Sequence, residues 1–148
     1  MKNLSPKAVW EHFYSLTQIP RPSGKKEEVS AFLAEYGKSL GLETIVDTIG
    51  NVIIRKPASP GYENHPGVIL QGHMDMVPQK NNDTIFDFEK DSIEAYIDGE
   101  WVTAKGTTLG ADNGIGVAAA MAILADKSVV HPPLEVLVTV DEETGMYG

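Results

Sequence analysis

The chain has 148 residues, no cysteine and a formal net charge of −9. Its length suffices for one domain with a hydrophobic core, and its 42% hydrophobic and 22% charged residues are typical of globular proteins. The acidic balance argues against nucleic acid and anionic membranes as partners, since both recruit positive charge. The lack of cysteine excludes a thiolate site, so any metal must be held by histidine and carboxylate. No apolar run approaches a membrane span and the N-terminus lacks a signal-peptide core, so we expect a cytoplasmic protein.

Two amphipathic helices are predicted within the first forty residues. Ser5–Pro6 marks the start of the first helix, which should end near Thr17 because the prolines of segment 19–24 interrupt it. The second helix should cover about 25–40, where apolar residues recur at helical spacing and Gly41 follows as a stop.

The pattern then becomes that of strands, with one further helix. Strands are predicted at 43–47, 51–55, 68–71, 93–97, 101–104 and 134–140, and an alanine-rich helix at 113–126. The 68–71 strand is almost wholly apolar, which is typical of a strand buried on both faces of a sheet. The order of elements predicts an α/β sandwich with a mixed, mainly parallel sheet flanked by helices.

Polar residues follow the 68–71 strand directly. His73 and Asp75 stand two positions apart at its end, so their side chains should leave the same face. A carboxylate that holds the second ring nitrogen of a histidine is common in zinc sites, because it fixes the tautomer and raises the basicity of the ligand. A buried histidine bonded to a neighbour is the alternative, and one His-x-Asp pair by itself favours that alternative.

Three adjacent carboxylates, Asp141, Glu142 and Glu143, follow the last strand. A solvated turn would explain them, but Gly145 and Gly148 come next and suit a chain that bends closely around something. At such a corner, one glutamate could bind a metal while the other takes a proton from metal-bound water.

Asp112 lies in the glycine-rich segment 106–116, at the start of the alanine-rich helix. A phosphate-binding loop is one interpretation, but the Lys-Ser/Thr pair of such loops is absent and Asp112 would repel a phosphate. A helix N-cap and a metal ligand remain as alternatives.

The segments 72–78, 106–116 and 141–145 resemble, in order and spacing, the dinuclear zinc peptidases that include carboxypeptidase G, tripeptidase and the aminoacyl-histidine dipeptidases. The segments 77–84 and 98–102 are most similar to the last group, the cytosolic non-specific or Xaa-His dipeptidases. The resemblance implies metal-dependent hydrolysis of Xaa-His dipeptides. The alternatives are another dizinc exopeptidase or deacylase, such as a tripeptidase or an N-acyl amino acid deacylase, and a non-catalytic α/β fragment.

The resemblance also implies a role for each site residue. His73 would bind one zinc ion, Asp75 would orient His73, and Asp112 would bridge two zinc ions. Glu142 would be the general base that deprotonates the bridging water, and Glu143 would bind the second zinc ion. The peptide bond after Asp112 would be cis. Manganese or cobalt would also suit these ligands.

Members of that family are several times longer, and two further metal ligands, a carboxylate and a histidine, have no counterpart before Gly148. We therefore expect residues 1–148 to be the N-terminal portion of a catalytic domain, without its C-terminal half and without the lid or dimerisation domain. The full-length parent is expected to be a homodimer that acts on small peptides. With only His73, Asp112 and Glu143 as ligands, this chain alone should bind metal weakly and have little or no peptidase activity.

Overall fold

The structure is a computed structural model, and it describes residues 1 and 3–148. The elements in chain order are α1 (Lys7–Thr17), α2 (Glu27–Ser39), β1 (Glu43–Val46), β2 (Val52–Lys56), β3 (Val68–His73), β4 (Ala95–Asp98), β5 (Trp101–Ala104), α3 (Ala111–Ala125), β6 (Leu134–Thr139) and a 3-10 turn at Glu142–Thr144. Every predicted helix and strand is present, with small differences at the ends. No helix among these residues is both long and apolar enough to span a bilayer.

Four strands form one mixed sheet in the order β1-β2-β6-β3, and β4 and β5 form a separate hairpin. β3 pairs with β6 in parallel, whereas the β1–β2 and β2–β6 pairs are antiparallel. The mixed α/β architecture is confirmed. The prediction that the sheet is mainly parallel is wrong for these strands, since only one of the three pairs is parallel. The short connection between β1 and β2 makes them an antiparallel hairpin.

One face of the sheet carries the hydrophobic core. Val52 and Ile54 of β2 pair with Val138 and Val136 of β6, and all four side chains are buried on the same face. Gly37 of α2 packs directly against Ile54 there, and α3 packs on β3 while α1 packs on α3. The helices add the apolar side chains Phe13, Leu16, Val29, Leu33, Val117, Met121 and Leu124 to this core.

The other face of the sheet is open within the described part of the chain. Ile69 of β3 is 60% exposed on this face, beside an Arg55–Glu135 ion pair. Val68, at the start of the strand, is also exposed. The prediction that the 68–71 strand is buried on both faces is therefore wrong for these residues, because β3 is an edge strand and the helices cover one face of the sheet.

The parallel pair of strands positions the polar segments. β3 and β6 are in register up to His73 and Thr139, so residues 73–75 and 141–143 emerge side by side at one edge of the sheet. The first turn of α3 lies at the same edge, since Gly72 is close to the Asn113 side chain. The carboxyl ends of strands in open α/β sheets are a common place for ligands.

Candidate metal centre

His73 lies at the centre of the polar cluster and is 5% exposed. Its Nδ1 lies 3.1 Å from the carbonyl oxygen of Asp75 and 3.2 Å from Asp75 Oδ1. Its Nε2 lies 3.1 Å from Asp112 Oδ1. When Nδ1–H donates to Asp75, the lone pair of Nε2 faces the carboxylate of Asp112, and two acceptors that face each other suit a cation between them.

Asp75 is buried and joins His73 to the 141–143 segment. Its carboxylate accepts hydrogen bonds from Ser23 Oγ at 2.6 Å and from the backbone N–H groups of Glu142 and Glu143 at 3.0 and 3.2 Å. Burial acts to raise the pKa of Asp75, but these three hydrogen bonds and His73 outweigh it and hold the pKa below its usual value. Asp75 is therefore ionised at neutral pH, and its carboxylate lies within hydrogen-bond distance of the His73 imidazole.

Asp112 comes two residues after Gly110, whose φ of 74° is in the left-handed region that favours glycine. The Asp112–Asn113 peptide bond is cis, as expected. The side chain of Asp112 is 82% exposed and its carboxylate contacts His73. Among the described residues it caps no helix N–H group, which argues against the helix-cap interpretation.

The two glutamates lie in the 3-10 turn after β6. One ligand atom from each of His73, Asp112 and Glu143 lies within 4.8 Å of the others, so these three side chains form a possible metal-binding group. Glu142 Oε2 lies 3.9 Å from His73 Nε2. Burial raises the pKa of Glu143; His73 opposes this rise, and the carboxylates of Asp112, Glu142 and Asp75 add to it.

The cluster contains one imidazole and the four carboxylates of Asp75, Asp112, Glu142 and Glu143. Within the described ranges, none of these carboxylates lies at ion-pair distance from a lysine or arginine. A divalent cation would relieve the repulsion among them, and one nitrogen with several oxygen donors suits zinc, manganese or cobalt. The residues at this edge of the sheet therefore fit a metal ion.

Comparison with known proteins identifies the family. Residues 69–148 match the model of peptidase family M20/M25/M40. The chain belongs to this peptidase family. The cytosol non-specific dipeptidase of Escherichia coli K12 is 55% identical to it over all of this chain. This match confirms the resemblance to the cytosolic non-specific dipeptidases.

Solved structures of peptidases share this fold. An aminoacylhistidine dipeptidase from Vibrio alginolyticus is 54% identical, with a TM-score of 0.97 over 99% of this chain. A tripeptidase from Staphylococcus aureus is 22% identical, with a TM-score of 0.76 over 94% of this chain and 37% of its own, and shows the fold alone. The chain spans 30% of the length of the Escherichia coli and Vibrio proteins.

No pattern in the sequence indicated that the loop 19–24 contributes to the site. Ser23 donates to Asp75, and the backbone N–H of Gly24 donates to Asp141 Oδ1 at 2.7 Å. Arg21, between two prolines, is buried and reaches backbone carbonyls near the cluster. The available signal was an arginine in a stiff Pro-x-Pro segment, but a rigid loop alone does not identify its partners.

Proposed function

We propose that this chain provides part of the metal centre of a dinuclear zinc dipeptidase that hydrolyses Xaa-His dipeptides. The observation that carries the proposal is the group formed by His73, Asp112 and Glu143, whose ligand atoms lie within 4.8 Å of one another. The similarity of the whole chain to an Escherichia coli dipeptidase and a Vibrio aminoacylhistidine dipeptidase supports the substrate class.

The role proposed for each ligand residue rests on the resemblance to dinuclear zinc peptidases, and the surroundings of these residues are compatible with it. His73 would bind one ion through Nε2, because Nδ1 faces Asp75. By the same resemblance, Asp112 would bridge two ions, and its exposed carboxylate is free to do so. Glu143 would bind the second ion. Zinc would supply Lewis-acid activation of water and of the scissile carbonyl.

Glu142 is the proposed general base. Its Oε2 is 3.9 Å from His73 Nε2, and its side chain is 42% exposed, so it remains open to water and substrate. Glu142 would accept a proton from the attacking water at Oε2 and pass it to the amine that leaves. Its neighbour Glu143 lies in the ligand group, so the two adjacent glutamates divide proton transfer and metal binding between them.

The remaining assignments concern the longer protein of which these residues would be part. We propose that residues 1–148 are the N-terminal portion of its catalytic domain, that it works in the cytoplasm as a homodimer and that its substrate is a small peptide. Assaying such a protein on a Xaa-His dipeptide, a tripeptide and an N-acyl amino acid separates the dipeptidase from a tripeptidase or a deacylase. Preferred hydrolysis of the dipeptide is the expected result.

Zinc titration of the 148-residue chain by calorimetry tests the metal centre. His73→Ala should weaken zinc binding by about tenfold or more, because it removes the nitrogen ligand. His65→Ala is the matched control, since His65 lies exposed in a loop and stacks on Tyr62. Equal zinc affinity for the His73→Ala variant and the parent chain would overturn the proposal.

A further inference from the structure

Arg21 is the largest fully buried charged side chain among the described residues, with 2% of its surface exposed. Its guanidinium donates to the carbonyl oxygens of Leu16 at 3.4 Å, Met74 at 3.0 Å and Gly110 at 2.6 Å. Three separate chain segments therefore meet at one cation. The hydrogen bonds to these carbonyl oxygens offset part of the cost of burying the charge.

The first turn of α3 is shaped to admit this guanidinium. A Cβ atom at Gly110 would lie 2.6 Å from Arg21 Nη2, and a Cβ at Gly114 would lie 2.7 Å from the same atom. Any other residue at these positions would displace the arginine or the helix. Close packing against Arg21 therefore explains why glycine occupies positions 110 and 114, without a role in phosphate binding.

Two of the three carbonyls that Arg21 binds belong to segments that carry metal-ligand candidates. Met74 lies between His73 and Asp75, and Gly110 lies two residues before Asp112. Both contacts are made by the same planar group, Met74 through Nη1 and Gly110 through Nη2, so the spacing of the two backbones is set by the rigid guanidinium fork.

We propose that Arg21 is a positioning residue of the metal centre, which holds the backbone of His73 at a fixed distance from that of Asp112. This inference rests on the proposed function. Arg21 touches neither ligand side chain, so its effect reaches the metal through the backbone of the two segments. Ser23 and Gly24, from the same loop, bind Asp75 and Asp141, so the loop 19–24 contacts all three segments that form the cluster.

A purely structural role for Arg21 is separated from a positioning role by a matched variant. Lys56 also donates to two backbone carbonyls, those of Ile123 and Asp126. Both lie at the C-terminal end of α3, away from Asp112. Lys56→Met thus removes a cation bonded to carbonyls without disturbing the cluster. Arg21→Met and Arg21→Lys form the test pair, and Lys keeps the charge without the planar fork.

The experiment measures zinc affinity by calorimetry on the parent chain and on the Arg21→Met, Arg21→Lys, Lys56→Met and His73→Ala variants. Urea unfolding of each variant gives the folded fraction. Arg21→Met should weaken zinc binding by about tenfold or more, as loss of a partner that orients a ligand does, with Arg21→Lys between it and the parent. Lys56→Met should stay within about twofold of the parent. In zinc-free protein, hydrogen exchange of segment 107–116 should accelerate in Arg21→Met and not in Lys56→Met.

The outcomes separate the two proposals. If His73→Ala lowers zinc affinity while both folded Arg21 variants bind zinc like the parent chain, the positioning role is wrong and the metal centre stands. If Lys56→Met lowers zinc affinity as much as Arg21→Met, the effect is general destabilisation and the positioning role is again wrong. If His73→Ala binds zinc like the parent, both proposals are wrong. Should Arg21→Met fail to fold, Arg21→Lys decides by the same criteria.

Discussion

The carboxylate of Asp75 lies 3.2 Å from Nδ1 of His73, on the side of the ring opposite Asp112. The same carboxylate accepts the backbone N–H groups of Glu142 and Glu143. One buried acid thus contacts both the histidine and the segment that carries the two glutamates. Direct hydrogen bonds among the residues of the site therefore hold His73 and the 141–143 segment next to each other.

Asp75→Asn should lower the free energy of unfolding of the zinc-free chain by about 1–3 kcal/mol at pH 7. An amide group cannot accept at both ends, so at least one donor from Ser23, Glu142 or Glu143 loses its partner. Because the pKa of Asp75 is lower in the folded state, its contribution is present above the usual aspartate pKa and is lost as pH falls through the lowered value.

Urea unfolding of the parent chain and the Asp75→Asn variant from pH 7 to pH 2 measures this effect. The difference in unfolding free energy should shrink as the acid limit is approached. A difference that stays constant over the whole pH range would show that the ionised carboxylate of Asp75 contributes no specific stability.

Glu142→Gln and Glu143→Gln should differ in their effect on zinc binding, although they are adjacent and change the same atoms. Glu143→Gln removes a carboxylate that we propose as a ligand and should weaken zinc binding by about tenfold or more. Glu142→Gln should remain within about twofold, because Glu142 is the proposed base and not a ligand. Calorimetric titration of both variants measures the difference, and the reverse order would exchange their assigned roles.

Asn51→Ala should destabilise the chain by about 1–3 kcal/mol. Asn51 is buried, its Oδ1 accepts the backbone N–H of Val140 at 3.0 Å and its Nδ2 donates to Asp47 at 2.8 Å. Removing the amide leaves the Val140 N–H without a partner directly before the acidic segment. The exposed Asn82 offers the control, and Asn82→Ala should change stability by less than about 0.5 kcal/mol in the same urea experiment.

The 148-residue chain should show little or no hydrolysis of a Xaa-His dipeptide in the presence of zinc. The described residues bring together three ligand groups, those of His73, Asp112 and Glu143, which are too few to complete the coordination of two ions. A peptidase assay with added zinc measures this. Robust turnover that is lost in Glu142→Gln would show that these residues suffice for catalysis.

The helices and strands were predictable because their apolar residues follow the expected periods. The convergence of His73 and Glu143 was also foreseeable from their positions after two apolar strands, and the parallel pairing of β3 and β6 explains why they meet. The roles proposed for Asp112 and for the individual glutamates rest on the family resemblance. Spacing alone left a helix cap as an alternative for Asp112 and a solvated turn as an alternative for the glutamates.

Other features could not be predicted, for identifiable physical reasons. The apolar run at 68–71 does not state which strands pair with it, so the exposure of Val68 and Ile69 at the sheet edge was missed. The hydrogen bonds of Arg21 could not be predicted because its partners are backbone carbonyls of distant segments, and the sequence of side chains does not reveal which carbonyls a residue will meet.

Diffraction at the zinc absorption edge from crystals of the zinc-loaded chain tests the metal centre most directly. We expect an anomalous peak within about 2.0–2.2 Å of His73 Nε2 and of a carboxylate oxygen of Asp112, with Glu143 at the same centre. An anomalous peak elsewhere on the molecule, with none beside His73, or coordinates that hold His73 apart from Asp112 and Glu143, would contradict this expectation.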